Sequence, residues 1–450
     1  MGYLQLFLIL LVLISQLFII KLVERRVVLT PAFCFTVSFI PQILFAFLWV
    51  DKWEILLSID TMIVYIGGII VFNVFSILFH YFFTHNKKKA MPDICDSTNM
   101  KIVDSWKLIV CLAFQTFALY VTIKELLFLG NGRSLVESIN YYGFSNKLIG
   151  LRMSGFAGKL NLISGASGYI WVYYLLHSWI YRYRNHSILL MANIVLSVIH
   201  LSITGSRGGV LVLFLAGLVA AYFVWSEKSK WRRKIPIQYV AGVFVVFIII
   251  IVSFQSSLAL FGRTTSGSLL EYIGRYLSAE LKNLDIYIRA GKYGPVSVDR
   301  WQTLNSILAY FAKTLGFQRA ESDAFAYLTV NGFALGNVYT AFYTYVYDLG
   351  LWGIIVFSPI MAFVCELSFY YAVYKKSVRF KINISKIAYA YICGNVLFSF
   401  FSNKFFEQVI HTGFVWYLGI WILLRVFLEG VSYSDRRLTV AVTERSIFKI

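Results

Sequence analysis

The stretch Leu201-Ser202-Ile203-Thr204-Gly205-Ser206-Arg207-Gly208-Gly209 joins two strongly apolar segments through one arginine set among glycines. Before it, 188–203 is an apolar run with one histidine, His200; after it, 210–225 carries no charge. Two such runs read as consecutive membrane spans with a tight turn between them. An unpaired arginine in hydrocarbon costs at least ~2.5 kcal/mol, so Arg207 belongs at a membrane surface or in a polar cavity. The glycines and Ser206 leave backbone N–H groups open at the start of the following helix. There the helix dipole and a guanidinium together suit a phosphate or diphosphate. The plainer role for Arg207 is an interfacial anchor in a tight turn.

Outward from this seam the same pattern repeats. Of 450 residues, 59% are hydrophobic, 18% aromatic and 14% charged. That balance excludes an ordinary soluble domain and predicts an all-α polytopic membrane protein. About eleven spans are expected, near 2–20, 27–50, 60–83, 107–129, 160–180, 188–204, 208–225, 236–254, 350–374, 385–403 and 409–428. Basic residues collect at 21–26, 87–89, 181–184, 228–234, 375–386 and in the tail with Arg436, Arg437, Arg445 and Lys449. These connections lie two spans apart, which places the amino terminus outside and the carboxyl terminus in the cytoplasm. The net charge of +19 is therefore a topology signal and does not call for nucleic acid. No small-residue cleavage pattern follows 2–20, so that segment reads as a retained span. Cys34, Cys111, Cys365 and Cys393 sit in apolar runs and Cys95 in a basic loop, the placement of packing residues.

Two outer connections are long, about 130–159 and about 255–349. The second is inserted between the eighth and ninth spans of a single 1–450 membrane domain. At 100° per residue, 268–290 is one amphipathic helix, with Glu271, Arg275, Lys282, Asp285 and Arg289 on one stripe and Ile273, Leu277, Leu281, Leu284 and Ile288 on another. Further amphipathic segments run from Trp301 to Leu315 and from Val338 to Tyr345, so the loop reads as a structured cap. Arg275, Lys282, Arg289 and Arg319 are candidates to hold phosphate with Arg207. Asp323 and Glu321, in a polar turn after Arg319, are the favoured candidates for a base, with Glu280 the runner-up. Glu271 and Asp285 have arginines at i+4 that compete for them. The simpler reading of the stripe is a solvated face held by such pairs.

Several chemistries lack their residues. The chain has no P-loop, no dinucleotide glycine fingerprint, no histidine pair with zinc spacing, no paired-aspartate motif and no nucleophile elbow. Neither a metal nor a cofactor is expected. His80, His177, His200 and His411 fall in spans and read as satisfied polar groups. Glu366, within the ninth span, is either a functional intramembrane carboxylate or a partner of Lys375, and it is the best support for a transporter. The lack of an internal repeat between the halves weighs against that class.

Three places resemble the Wzy-type oligosaccharide repeat-unit polymerases of O-antigen, capsule and exopolysaccharide assembly. They are Thr204-Gly205-Ser206-Arg207-Gly208-Gly209 opening a span; Trp301-Gln302-Thr303-Leu304 with Leu315-Gly316; and Gly336-Asn337-Val338-Tyr339-Thr340 leading to Tyr347-Asp348-Leu349-Gly350-Leu351-Trp352-Gly353. The resemblance implies a fold related to lipid-carrier glycosyltransferases and O-antigen ligases in a bacterial cytoplasmic membrane, with the active site under the outer loop. It implies undecaprenyl-diphosphate-linked repeat units as substrate and metal-independent glycosyl transfer. A chain-length regulator and a flippase would be partners, and Asn337, Tyr339, Thr340 and Asp348 would join the substrate site. A flippase or exporter of lipid-linked glycans, or a ligase, is the alternative.

Overall fold

The computed structural model describes residues 1–24, 27–85, 103–149, 151–182, 186–205, 208–231, 268–291, 294–316, 325–374 and 382–430. In chain order the helices are α1 (Gly2–Val23), α2 (Pro31–Ala46), α3 (Ile59–Thr84), α4 (Ser105–Gly130), α5 (Leu135–Ile149), α6 (Gly155–Tyr181), α7 (Ser187–Ser202) and α8 (Gly208–Lys228). After the next described segment begins come α9 (Leu269–Leu277), α10 (Ala279–Arg289), α11 (Asn305–Leu315), α12 (Phe342–Leu349), α13 (Trp352–Val373), α14 (Ile384–Val396) and α15 (Thr412–Glu429). A short hairpin, β1 (Leu328–Val330) with β2 (Phe333–Gly336), precedes α12.

Among the described residues, seven helices are long and apolar enough to cross a membrane: α1, α2 with its 3-10 extension to Trp49, α3, α4, α8, α13 and α15. The described residues are thus predominantly helical, those of a multi-pass membrane protein. Exposed Phe18, Phe82 and Phe128 on α1, α3 and α4 supply the outward apolar surface that lipid requires. The expected span at 236–254 lies outside the described residues; the other ten coincide with helices. Three of those ten, α6, α7 and α14, are short or polar inside. α6 buries Ser164, Gly165, Ser167 and Gly168 where it packs on α7 and α8, and a Cβ on Gly168 would stand 2.8 Å from that of Ser197. Small residues let helices approach closely where no hydrophobic force separates protein from lipid.

Two bundles meet in the middle. α1, α2, α3 and α13 form one, with α3 lying along α13; α4, α6, α7, α8 and α14 form the other. A buried Lys386–Glu227 ion pair ties α14 to α8. His200 is a satisfied packing group, with Nδ1 2.8 Å from Asn161 Oδ1 and Nε2 3.0 Å from the Gln115 carbonyl. The four described cysteines are buried and free.

The connections depart from expectation in three places. The 130–159 connection contains α5, started by a capping box in which Glu137 accepts from the Ser134 N–H at 3.0 Å; Ser-x-x-Glu is the local signature of such a start. The single helix expected over 268–290 is two, broken at Ser278 (φ −145°), whose hydroxyl turns back to the Gly274 carbonyl at 2.9 Å. The tenth span ends early, at Val396, because Asn395, Ser399, Ser402 and Asn403 make a buried polar turn before a π-helical turn at Phe405–Val409.

Candidate functional site

The cap is fastened by its charges. Asp285 is fully buried and accepts from the Ser58 N–H at 2.7 Å, the Thr61 hydroxyl at 2.9 Å and Arg289 Nε at 2.8 Å. A carboxylate therefore sits at the start of α3, on the Ser58 N–H, where the helix dipole favours it. Lys282 Nζ donates to the Glu54 carbonyl at 2.6 Å, and Arg289 donates to the Leu56 carbonyl. Burial pulls the Lys282 ammonium down and the neighbouring Asp285 partly restores it. The stripe expected to face solvent or substrate is instead a latch onto the 51–58 turn. Glu271 completes the capping box of α9 with Ser268.

Beneath this latch lies a layer of polar groups with unused bonding capacity. Glu280 on α10 is fully buried; its Oε2 lies 3.5 Å from Gln42 Nε2, and its Oε1 has no partner. Gln42 also donates to the Phe400 carbonyl at 3.0 Å and accepts from the Tyr65 hydroxyl at 2.6 Å. Asn283 donates to the Val338 carbonyl at 2.8 Å while its Oδ1 is unbonded. Asn403 donates to the Thr344 hydroxyl at 2.7 Å, and its Oδ1, Thr340 Oγ1, Ser399 Oγ and Asn395 Oδ1 are buried without partners. Buried polar atoms are nearly always bonded, so such a concentration marks a place where water or a polar ligand completes the bonding.

Desolvation holds the Glu280 carboxyl well above the usual carboxylate range. Burial thus favours the neutral carboxyl, the form in which Glu280 can donate a hydrogen bond. Beside this layer Tyr343 stacks on Tyr339 at 4.2 Å and meets Tyr287 edge-on at 4.6 Å. The three rings pack on one another, with Tyr339 and Tyr343 buried.

Of the residues expected at the site, Arg207, Glu321, Asp323 and Arg319 lie outside the described residues. The seam's Gly205 packs on α5 at Ile139 and Gly143, whereas α9 and α10 pack on α2 and α3. Arg275 keeps a buried Nε without a hydrogen-bond partner. Lys282 and Arg289 hold the latch. Tyr339 and Thr340 are buried at the polar layer, Tyr339 donating to the Ala326 carbonyl at 2.9 Å, while Asn337 is exposed.

Asp348 pins one corner of the cap, accepting from the Gln302 and Thr303 N–H groups at 2.7 and 2.8 Å. Two of the three resembling stretches thus meet each other. Gly353 serves the same corner, since a Cβ there would lie 1.9 Å from the Tyr345 carbonyl oxygen. Gln42, Tyr65, Asn283 and Asn403 are not distinguished by sequence pattern; a lone glutamine in the uncharged run before Trp49 is the one available signal. Glu366 lies toward the other end of α3, accepting from the Ser76 hydroxyl and 3.2 Å from His80 Nδ1, while Lys375 is outside the described residues.

Comparison with family models, with curated proteins and with solved structures found no match for this chain.

Proposed function

We propose that this chain is a glycosyltransferase that polymerises undecaprenyl-diphosphate-linked oligosaccharide repeat units on the outer face of a bacterial cytoplasmic membrane. The observation that carries the reading is Glu280, fully buried beside Gln42 and Tyr65 under the α9–α10 segment, amid polar atoms that lack partners. A hydroxyl of the incoming unit attacks the anomeric carbon of the growing chain. The bond from that carbon to the diphosphate breaks, and undecaprenyl diphosphate leaves with the electron pair. The hydroxyl proton passes to a carboxylate, for which Asp323 and Glu321 are the candidates. Arg207 and Arg275 neutralise the departing diphosphate, and Glu280 donates a hydrogen bond to a developing oxyanion. The tyrosine wall packs against sugar rings. A flippase and a chain-length regulator supply the unit and set polymer length.

The test is reconstitution with lipid-linked repeat units, reading product ladders and released lipid diphosphate. Polymer that forms with the parent chain and with Glu280→Gln, whose amide can still donate, but fails with Glu280→Leu, which cannot, supports the assignment. A second reading, export of the same glycans, is favoured by the buried Glu366–His80 contact, of the kind that couples transport to a cation. Movement of labelled glycan across the vesicle membrane without any ladder would select export, and transfer of finished chain to another acceptor would select a ligase.

A further inference from the structure

The carboxylates of Glu24 and Glu366 and the imidazole of His80 converge far from the cap. One ligand atom from each lies within 4.8 Å of the other two. Glu366 is held by the Ser76 hydroxyl on one oxygen, and its other oxygen stands 3.2 Å from His80 Nδ1. Glu24, at the end of α1, is only 7% exposed, and neither of its oxygens makes a hydrogen bond. The Thr30 side chain approaches it without reaching hydrogen-bond geometry. A carboxylate without hydrogen bonds, sealed beside a second carboxylate, is neutralised by a proton or by a cation, and the imidazole beside the pair completes a set of ligands for the cation.

We propose that Glu24, His80 and Glu366 bind one divalent transition-metal ion, which clamps α1, α3 and α13 together. The 3.2 Å separation of His80 Nδ1 from Glu366 Oε2 is close to the edge, about 3.3 Å, of a tetrahedron with bonds of about 2.0 Å. One imidazole nitrogen with two carboxylates selects zinc, manganese or iron over calcium and magnesium. Ser76 fixes the free oxygen of Glu366, as outer hydrogen bonds do around metal ligands. Three protein ligands leave a fourth position for water. The ion joins helices that enter the chain far apart: Glu24 follows α1, while His80 and Glu366 are 286 residues apart. The triad is on the opposite half of α3 from Thr61 and Asp285, so the ion is remote from Glu280 and takes no part in glycosyl transfer.

The full chain, purified in detergent and stripped with a chelator, is dialysed separately against Zn²⁺, Mn²⁺ and Co²⁺. We expect about one ion per chain by mass spectrometry, visible cobalt bands without a thiolate charge-transfer band, and a higher melting temperature with metal bound. Glu24→Gln, which replaces an unbonded group by its isostere, is expected to weaken binding at least tenfold at unchanged gel-filtration profile. Ser76→Ala is expected to weaken it by ~10-fold or more. Retention of no ion by the parent chain, leaving protons alone to neutralise the triad, overturns the proposal. So does a thiolate band, which would move the ion to Cys34, Cys365 or Cys393, and so does full affinity in Glu24→Gln. X-ray absorption of the cobalt form reads the ligand shell in the parent chain, so a variant that fails to fold leaves the test intact: nitrogen and oxygen alone support the site, and sulfur overturns it.

Discussion

The two ends of α3 treat buried charge in opposite ways. At the cap end the charges of the latch are all answered: Asp285 takes three donors, and Lys282 and Arg289 each reach a backbone carbonyl of the 51–58 turn. Thr61 and His80 are 19 positions apart, about 28 Å at 1.5 Å per residue. At the far end Glu366 is answered by Ser76 and His80, but Glu24 is left bare. The difference separates fastening from function. Charges with full partner sets hold α10 to the 51–58 turn, whereas buried groups without partners gather at Glu280 and its neighbours on one end and at Glu24 on the other.

The sharpest way to break this contrast is Asp285→Ala, which strips the first turn of α3 and Arg289 of their acceptor. Removing a buried, charge-bonded carboxylate is expected to cost roughly 3 kcal/mol, read as a lower melting temperature in detergent and lower yield in the membrane. An unchanged melt would mean that the latch is ornamental. Next comes Glu280→Leu, which cannot donate a hydrogen bond and is expected to lower polymerisation on the order of 100-fold, more than Glu280→Gln does.

Glu280 also sets a pH dependence. Its folded pKa is raised by burial, so the folded state holds a proton that the unfolded chain releases above about pH 4.3. The stabilisation by this group is complete below that pH and is lost as pH rises toward the folded value. Melting temperature of the parent chain should fall with rising pH across this window, and Glu280→Gln should flatten that slope. An equal slope in both chains would detach the effect from Glu280.

Smaller effects sharpen the comparison. Arg289 is 46% exposed, so Arg289→Ala should cost about 1 kcal/mol or less and leave polymerisation near the parent rate, as a latch residue would. A strong loss of activity at parental stability would return it to the substrate site. The smallest shift belongs to Glu24→Gln in the metal-free chain. No hydrogen bond is lost there, so the melt should move by about 0.5 kcal/mol or less, in contrast to Asp285→Ala.

Much of the scaffold follows from periodicity alone. Long uncharged runs at a 3.6-residue repeat must become helices, since lipid offers the backbone no other partner, and ten expected spans indeed fall on helices. Local chemistry also accounts for the capping box at Ser134 and the positive-φ turn of Asn331-Gly332 that closes the hairpin, although hydropathy shows neither. Local rules fail where distant ones compete with them. The i+4 spacing correctly pairs Asp285 with Arg289, yet nothing within α10 says that Asp285 also caps α3 or that Lys282 turns to Glu54.

What the sequence alone determined is the helical membrane class of the protein and the position of most of its described helices, because hydropathy and periodicity act over a few residues. Only the tertiary structure decided which polar groups are satisfied. Gln42 meets Glu280 across 238 positions and His80 meets Glu366 across 286. A polar side chain in an apolar run has the same sequence signature whether a partner reaches it or not; close packing settles which, and the groups left without one are where a ligand can bind.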